Sequence, residues 1–436
     1  MKKIIAGLLC AAMIFSTMSG CTSSAPSTAD GASTGGITGD KTESVTLTYM
    51  IWDTNQLDGM KQIADQFMVH NPNITVNVQV TPWDASMQYW MKLEASAKSG
   101  AMPDVFWMHA DQIAQYVSGN TLMDLTDKVA ENPEVAMSNY PTAVVATSMV
   151  NDKIYAIPKD YTDFALWYNK TMFDAAEIAY PDNTWTWDTM FEAAKDLTDT
   201  SKGQYGFLAK EDGQNLYWNF IWQNGGTVIS DDKKSSGFDQ PAAQDAIAYL
   251  LNFIELGYSP TQEQFANTSP QQYMESGNAA MGVFGSQFVA EFEGNDYMKS
   301  NCDLAVLPKG KVRATNLNGL SNSIALNTKY PDQSWEFVKY MGTKEANEIQ
   351  GKSGAAIPAY AGTAQTFVDT FDGFNLQAFI DQVGEGLPSP VTPSKPTWSQ
   401  YEQDTMSKVF AFQLPIKEGM DDLAKQVNET IATESE

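Results

Sequence analysis

The chain has 436 residues, 53 of them acidic and 27 basic, for a formal net charge of −26. So acidic a surface repels phosphate backbones and anionic headgroups, which excludes nucleic acid as a partner. Two histidines (His70 and His109) and three cysteines (Cys10, Cys21 and Cys302) offer no material for a His-built metal centre or a disulfide framework, and the single arginine, Arg313, is little with which to clamp a polyanion.

Lys2 and Lys3 precede an apolar run over 4–15, which is followed by Met18-Ser19-Gly20-Cys21. A positive head, a short apolar stretch and small residues make a secretory signal. The run is too short to span a bilayer, which takes roughly 20 residues. A cysteine directly after Ser-Gly resembles the bacterial lipoprotein signal, with Met18 where Leu is usual. The resemblance implies that 1–20 is a signal peptide and that Cys21 becomes the lipidated first residue; the alternative is an ordinary signal with an incidental cysteine. Residues 22–43 are nearly all Ser, Thr, Gly, Ala and Asp, with no aromatic, so 21–43 reads as the lipidated cysteine and a flexible linker.

Folding begins at 45–52, a strand-like run. Apolar spacing then predicts a helix over 58–70, stopped by Asn71-Pro72-Asn73, and alternation predicts a strand over 74–80. A helix over 87–98, a strand over 104–108 and a helical turn over 113–117 follow. The middle region has the same kind of architecture, with an apolar stretch over 154–158, a strand over 164–169, a helix opened by Thr186 or Asp188, a short strand at 205–207, and an aromatic helix over 217–223 ending at Gly225-Gly226. Then come a long helix over 241–256, a buried strand over 279–284, a strand over 303–308, a tight turn at Asn318-Gly319 and a strand over 323–326. Helices close the chain over 333–341, 398–412 and 417–432. Alternating strands and helices imply largely parallel sheets covered on both faces, with ligands beyond the carboxyl ends of strands. Those ends carry Trp52-Asp53, Trp83-Asp84 and His109-Ala110-Asp111. An aspartate in such a place also serves as a helix N-cap. Cys302 reads as a small, inert apolar residue.

An ordered series of motifs now marks a resemblance: Gly100-x-x-Pro103-Asp104-Val105; Ile154-Tyr155-Ala156-Ile157-Pro158 with Trp167-Tyr168-Asn169-Lys170; Pro181-x-x-Thr184-Trp185; Asn224-Gly225-Gly226; Met281-Gly282-x-Phe284-Gly285-Ser286; Trp335-x-Phe337; and Gly354-Ala355-x-Ile357-Pro358. The chain resembles the extracellular solute-binding proteins of bacterial ABC importers, in the sugar-binding cluster that includes maltose-binding protein. The resemblance implies an α/β, two-lobe periplasmic-binding-protein-like fold (type II), each lobe a mainly parallel sheet flanked by helices, with the ligand cleft between lobes. It implies crossings near 157–161, near 313–321 and after Pro358, so that 44–158 plus 320–365 form the first lobe and 159–319 plus 366–436 the second. Family binding positions fall on Trp52, Asp53, Trp83, Asp84, His109, Asp111, Asp160, Tyr161, Trp222, Asn318, Gly319 and Ala355. Where the family often has Trp after Gly285-Ser286 this chain has Gln287, a departure at one stacking platform.

These residues suit a sugar. Tryptophan covers the C–H face of a pyranose, and carboxylates accept from its hydroxyls in charge-assisted bonds. The expectation is a monomeric, lipid-anchored binding protein on the outer face of the cytoplasmic membrane, in a Gram-positive arrangement, that delivers a sugar or oligosaccharide to an ABC permease, with no cofactor, metal or catalytic residue. Three alternatives stand beside it: a lipid-anchored glycoside hydrolase using two carboxyl groups, the same fold binding an anionic solute through Arg313, and a sensor that presents its ligand to a receptor.

Overall fold

The structure, a computed structural model, describes residues 44–82 and 87–435. The signal, Cys21 and the linker lie outside the described residues, as do Trp83 and Asp84. The strands in chain order are β1 Val45–Ile51, β2 Ile74–Val80, β3 Val105–His109, β4 Met149–Val150, β5 Lys153–Ile154, β6 Ile157–Thr162, β7 Phe164–Asn169, β8 Met281–Gly285, β9 Cys302–Ala305, β10 Thr315–Ile324, β11 Ile357–Pro358 and β12 Gly386–Pro388.

The larger sheet runs β11-β6-β10-β3-β1-β2, with β12 on β10. Its β1 is parallel to β2 and β3, while β10 runs antiparallel to β3 and β6. Helix Leu57–His70 returns the chain from β1 to β2, burying Met60, Ile63, Ala64 and Phe67 at the spacing read from sequence. Three strands are tied below their carboxyl ends by buried hydrogen bonds: Trp107 Nε1 donates to Tyr49 Oη at 2.6 Å, Tyr49 Oη donates to Asn322 Oδ1 at 2.8 Å, and Tyr89 Oη donates to the Trp107 carbonyl at 2.7 Å. These buried hydrogen bonds tie the sheet floor on which the site stands, although Asn322 Nδ2 has no partner among the described residues.

The smaller sheet is β8-β7-β9. Both of its pairings are antiparallel, where the sequence pattern predicts mainly parallel strands. A strand–helix alternation reports direction only when consecutive strands pair, and here β7 and its partner β8 are separated by a long, mostly helical excursion. Buried on both faces, β7 reads as an unbroken apolar run. Phe164, Leu166 and Tyr168 enter one core with Phe207, Phe220, Leu250 and Trp398, and Ala165 and Trp167 enter the other. Thr186, one of the two candidate caps, accepts from the Thr189 amide and starts helix Trp187–Leu197.

Three local readings change. Positions 205–207 form no regular strand; Tyr205 makes one isolated bridge to Ala279. Gly213–Tyr217, ahead of helix Trp218–Gln223, is a π-turn. Asn318-Gly319 is no tight turn but lies inside β10. Its glycine answers close packing rather than a turn: a Cβ on Gly319 would stand 2.2 Å from Thr147 Oγ1.

The chain leaves the larger sheet at one residue. β6 ends at Thr162, Asp163 follows, and β7 opens the smaller sheet. The buried Asp163 carboxylate accepts from the Phe164 amide at 2.7 Å and from Thr315 Oγ1 at 2.5 Å, which ties this crossing to the return strand β10.

Candidate functional site

Between the two sheets lies a cleft of about 350 Å³. Its floor is a row across the larger sheet, because the register sets Leu320 opposite His109 on one side and opposite Asp160 on the other. Asn318 and Gly319 pair with Thr162 and Tyr161 one step further on, and Ile357 of β11 pairs with Tyr161, which brings Ala355 and Ala356 to the rim. The turn after β1 supplies Trp52, Asp53 and Gln56. The opposite wall comes from the π-turn (Asp212, Gln214, Asn215) and from Ser286 and Gln287 after β8.

Of the positions marked in the sequence, Trp52, Asp53, His109, Asp160, Tyr161, Gln287, Asn318, Gly319 and Ala355 line this cleft. Asp111 lines an adjoining, wider opening, of about 520 Å³, with Trp218, Lys395 and Glu402; the two spaces share Asp212 and Gln214. Trp222 is absent from the cleft lining and packs in the core of the smaller sheet, because its helix turns that face inward. Gln56, Thr162, Asp212, Gln214 and Asn215 are cleft residues that the sequence reading missed. The Glu211-Asp212-Gly213 run carries a turn signal that could have flagged the last three.

The aromatic platform is preset. Trp52 stands edge-on to Tyr89 and Trp107, with ring centroids at 4.9 and 5.0 Å, and is half-exposed to the cleft. Beneath it runs a polar relay. Asp53 accepts from Gln56 Nε2 at 3.3 Å, Gln56 Oε1 accepts from Lys159 Nζ at 2.6 Å, Lys159 donates to Asp160 Oδ2, and Gln350 Nε2 donates to the same oxygen at 2.9 Å. Lys159 also sits 4.3 Å from the Trp107 ring centroid. It is 1 % exposed, so it serves as the internal counter-ion of Asp160 and not as a free cation in the cleft. Burial pushes the Asp160 carboxyl up and the Lys159 ammonium down, and their mutual attraction opposes both shifts. His109, the N-cap of helix Ala110–Ser118, has its pKa lowered by burial, then raised by Asp111 and lowered by Lys395, for a net fall. Nδ1 accepts from the Asp111 amide at 3.2 Å, which puts the proton of a neutral ring on Nε2; Asn318 then accepts it by turning its side-chain oxygen, otherwise without a partner among the described residues, to the position 2.7 Å from Nε2.

The profile of the bacterial extracellular solute-binding proteins matches residues 53–348. The chain belongs to that family. A galactooligosaccharide-binding protein of Bacillus subtilis is 24% identical over 369 residues, covering 82% of this chain and 80% of the relative. Among solved structures, an ABC substrate-binding protein from Listeria monocytogenes in complex with cycloalternan superposes with a TM-score of 0.80 at 21% identity, covering 89% of this chain and 100% of that one. The sugar-binding protein MalE from Xanthomonas citri superposes at 0.76 and 21% identity, covering 89% and 98%. The two-lobe binding-protein fold is therefore established for this solute-binding protein.

Among the described residues, no lysine or arginine lines the cleft of this solute-binding protein, and Lys210 lines the adjoining opening. Lys159 is paired with Asp160, and Lys395 lies 3.1 Å from Asp111. Arg313 donates to the carbonyls of Leu307 and Asn183 and does not line the cleft. With Asp160 neutralised by Lys159, Asp53 and Asp212 give the lining a negative field that opposes an anionic solute.

Proposed function

We propose that this protein captures a neutral sugar or oligosaccharide between its lobes and delivers it to an ABC permease, without turning it over. The observation that carries the reading is the pairing of a preset tryptophan face, Trp52, with the acceptor carboxylates of Asp53 and Asp160 in one cleft that no lysine or arginine among the described residues lines. That lining suits hydroxyl-rich, uncharged ligands and disfavours the anionic alternative. The hydrolase alternative is disfavoured because family relatives are binding proteins. On this reading Cys21 carries a lipid that holds the monomer at the outer face of the membrane, the lobes keep the expected order but divide near Asp163 and Thr315 instead of at 158 and 319, because β6 and β10 belong to the larger sheet, and Trp52, Asp53, His109, Asp160, Tyr161, Gln287, Asn318, Gly319 and Ala355 touch ligand. None of the helices among the described residues is long and apolar enough to cross a membrane.

The test is calorimetric titration with neutral mono- and oligosaccharides and with uronic-acid counterparts. A neutral sugar binds, Trp52→Ala and Asp160→Asn each weaken it at least tenfold, about 1.4 kcal/mol, and the sugar is recovered unaltered. Tight binding of the uronic acids alone, or recovery of cleaved sugar, overturns the reading.

A further inference from the structure

The two walls of the cleft differ in kind. The larger-sheet wall carries aromatic groups, Trp52 and Tyr161. The smaller-sheet wall is Asp212, Gln214, Asn215, Ser286 and Gln287, with no aromatic ring among the described residues. The tryptophans nearest that wall in sequence are engaged elsewhere. Trp222 packs in the core, and the Lys395 ammonium covers the Trp218 ring, 4.5 Å from its centroid.

The polar groups of the smaller-sheet wall fall into two sets. Asp212 and Asn215 serve each other: the Asn215 backbone amide donates to Asp212 Oδ1 at 3.0 Å, and Asn215 Nδ2 donates to Oδ2 at 2.7 Å. The side-chain amides of Gln214 and Gln287 have no hydrogen-bond partner among the described residues. Gln287 is exposed, and the backbone makes room for it. Its Oε1 curls back over Gly285, where a Cβ would stand 2.1 Å from that oxygen and 2.8 Å from Thr162 Cγ2. A side chain at 285 would displace it. Without one, the Gln287 amide lies at the cleft wall beside Thr162, the last residue of β6, with its hydrogen-bonding capacity unused.

We propose that the site prefers a pyranose with an axial hydroxyl, as in the galacto or manno configuration, and that Gln287 reads that hydroxyl. Such a ring has two unlike faces. One is made of C–H groups, and from the other the axial hydroxyl stands out. The first suits Trp52, and the second suits a wall of amides. An all-equatorial ring offers C–H groups on both faces. Stacked on Trp52, it strips water from the amides with its second face and returns no hydrogen bond. Polar groups left unpaired in this way are what gives a hydroxyl-reading site its selectivity. The proposal rests on the sugar-binding reading and narrows its substrate class.

Epimer pairs test it by calorimetric titration. Lactose against cellobiose and melibiose against isomaltose each differ only at C4 of one ring, and β-1,4-mannobiose against cellobiose differs at C2. The axial member of at least one pair binds about tenfold or more tighter than its equatorial partner. Gln287→Met keeps the length of the side chain and removes the amide. It weakens the axial member far more than the equatorial one and closes the gap, while the empty protein melts as wild type does. Equal or tighter binding of the equatorial member in every pair that binds overturns the proposal and leaves the sugar reading standing. An epimer preference that survives Gln287→Met also overturns it, because another group then reads the hydroxyl. If no member of any pair binds, the proposal falls, and the wider neutral-sugar titration decides separately whether the sugar reading falls with it.

Discussion

Glu211 is a side chain whose surroundings bring its titration close to neutral pH. Burial first, and then the neighbouring Asp212 charge, push its carboxyl up to about 7, against the Ser407 hydroxyl that donates to it at 3.2 Å. In the unfolded chain the same group titrates near the ordinary glutamate value of about 4.3. A raised folded-state pKa means that the folded protein holds the proton more tightly. The group's contribution to stability is therefore fully present below about pH 4.3 and is lost as pH rises toward 7. The Gln variant keeps the neutral shape and cannot titrate. Relative to wild type, Glu211→Gln gains stability as pH rises across that window, by at most about 4 kcal/mol, in urea unfolding followed at several pH values. A difference that is flat between pH 4 and 8 shows that Glu211 ionises as it does in water. The sequence shows the adjoining Asp212 but not the burial that dominates the shift, because the segment that packs over Glu211 lies 196 positions away.

At the scale of elements, β10 shows why part of the site was legible and part was not. Trp52, Asp53 and His109 stand at the carboxyl ends of β1 and β3, and each strand announces itself through a local pattern, so chain order alone places them. Asn318 and Gly319 carry a turn signal, yet they lie in a ten-residue strand. The signal misleads because the helix Thr142–Ala146, remote in sequence, presses against that strand and only a residue without Cβ fits beside Thr147. Trp222 failed for the matching reason: its helical face turns inward, and burial is decided by partners far along the chain. Antiparallel pairing in the smaller sheet was illegible on the same ground. The Gly319 argument is checkable. Gly319→Ala strains the contact with Thr147 and costs about 1–3 kcal/mol, the range for overpacking. Adding Thr147→Ser leaves the obstructing oxygen and restores little, whereas Thr147→Ala removes it and recovers most of the loss. Thermal melting of the single and double variants decides; an undisturbed Gly319→Ala shows that the contact relaxes at no cost.

For the whole molecule, the ion pair between Asp111 and Lys395 joins the two halves. Asp111 opens the helix that follows β3 in the larger sheet, whereas Lys395 opens helix Lys395–Phe410, whose Trp398, Met406 and Phe410 pack in the core of the smaller one. The Lys395 ammonium lies 3.1 Å from Asp111 Oδ1, donates to the Pro390 carbonyl at 3.0 Å, and sits 4.5 and 4.9 Å from the ring centroids of Trp218 and Trp398. Burial would raise the Asp111 pKa, but the Lys395 charge and hydrogen bond, joined by His109 at the acid pH where that ring is protonated, prevail and lower it. A pair between two lobes acts on their closure, because opening separates the charges while ligand binding selects the closed form. Lys395→Met keeps much of the side chain's length against the two tryptophans and removes the charge. Without ligand, small-angle scattering then gives a larger radius of gyration than for wild type. Affinity falls by about tenfold, or ~1.4 kcal/mol, since a smaller closed fraction weakens apparent binding in proportion. Adding ligand still compacts the variant. The control is Asp111→Asn with Lys395→Met, which should bind no worse than Lys395→Met alone, because the partner charge has gone already. If Lys395→Met leaves both the radius and the affinity of wild type, the pair contributes nothing to closure, and the lobes are held by the strands that cross at Asp163 and Thr315.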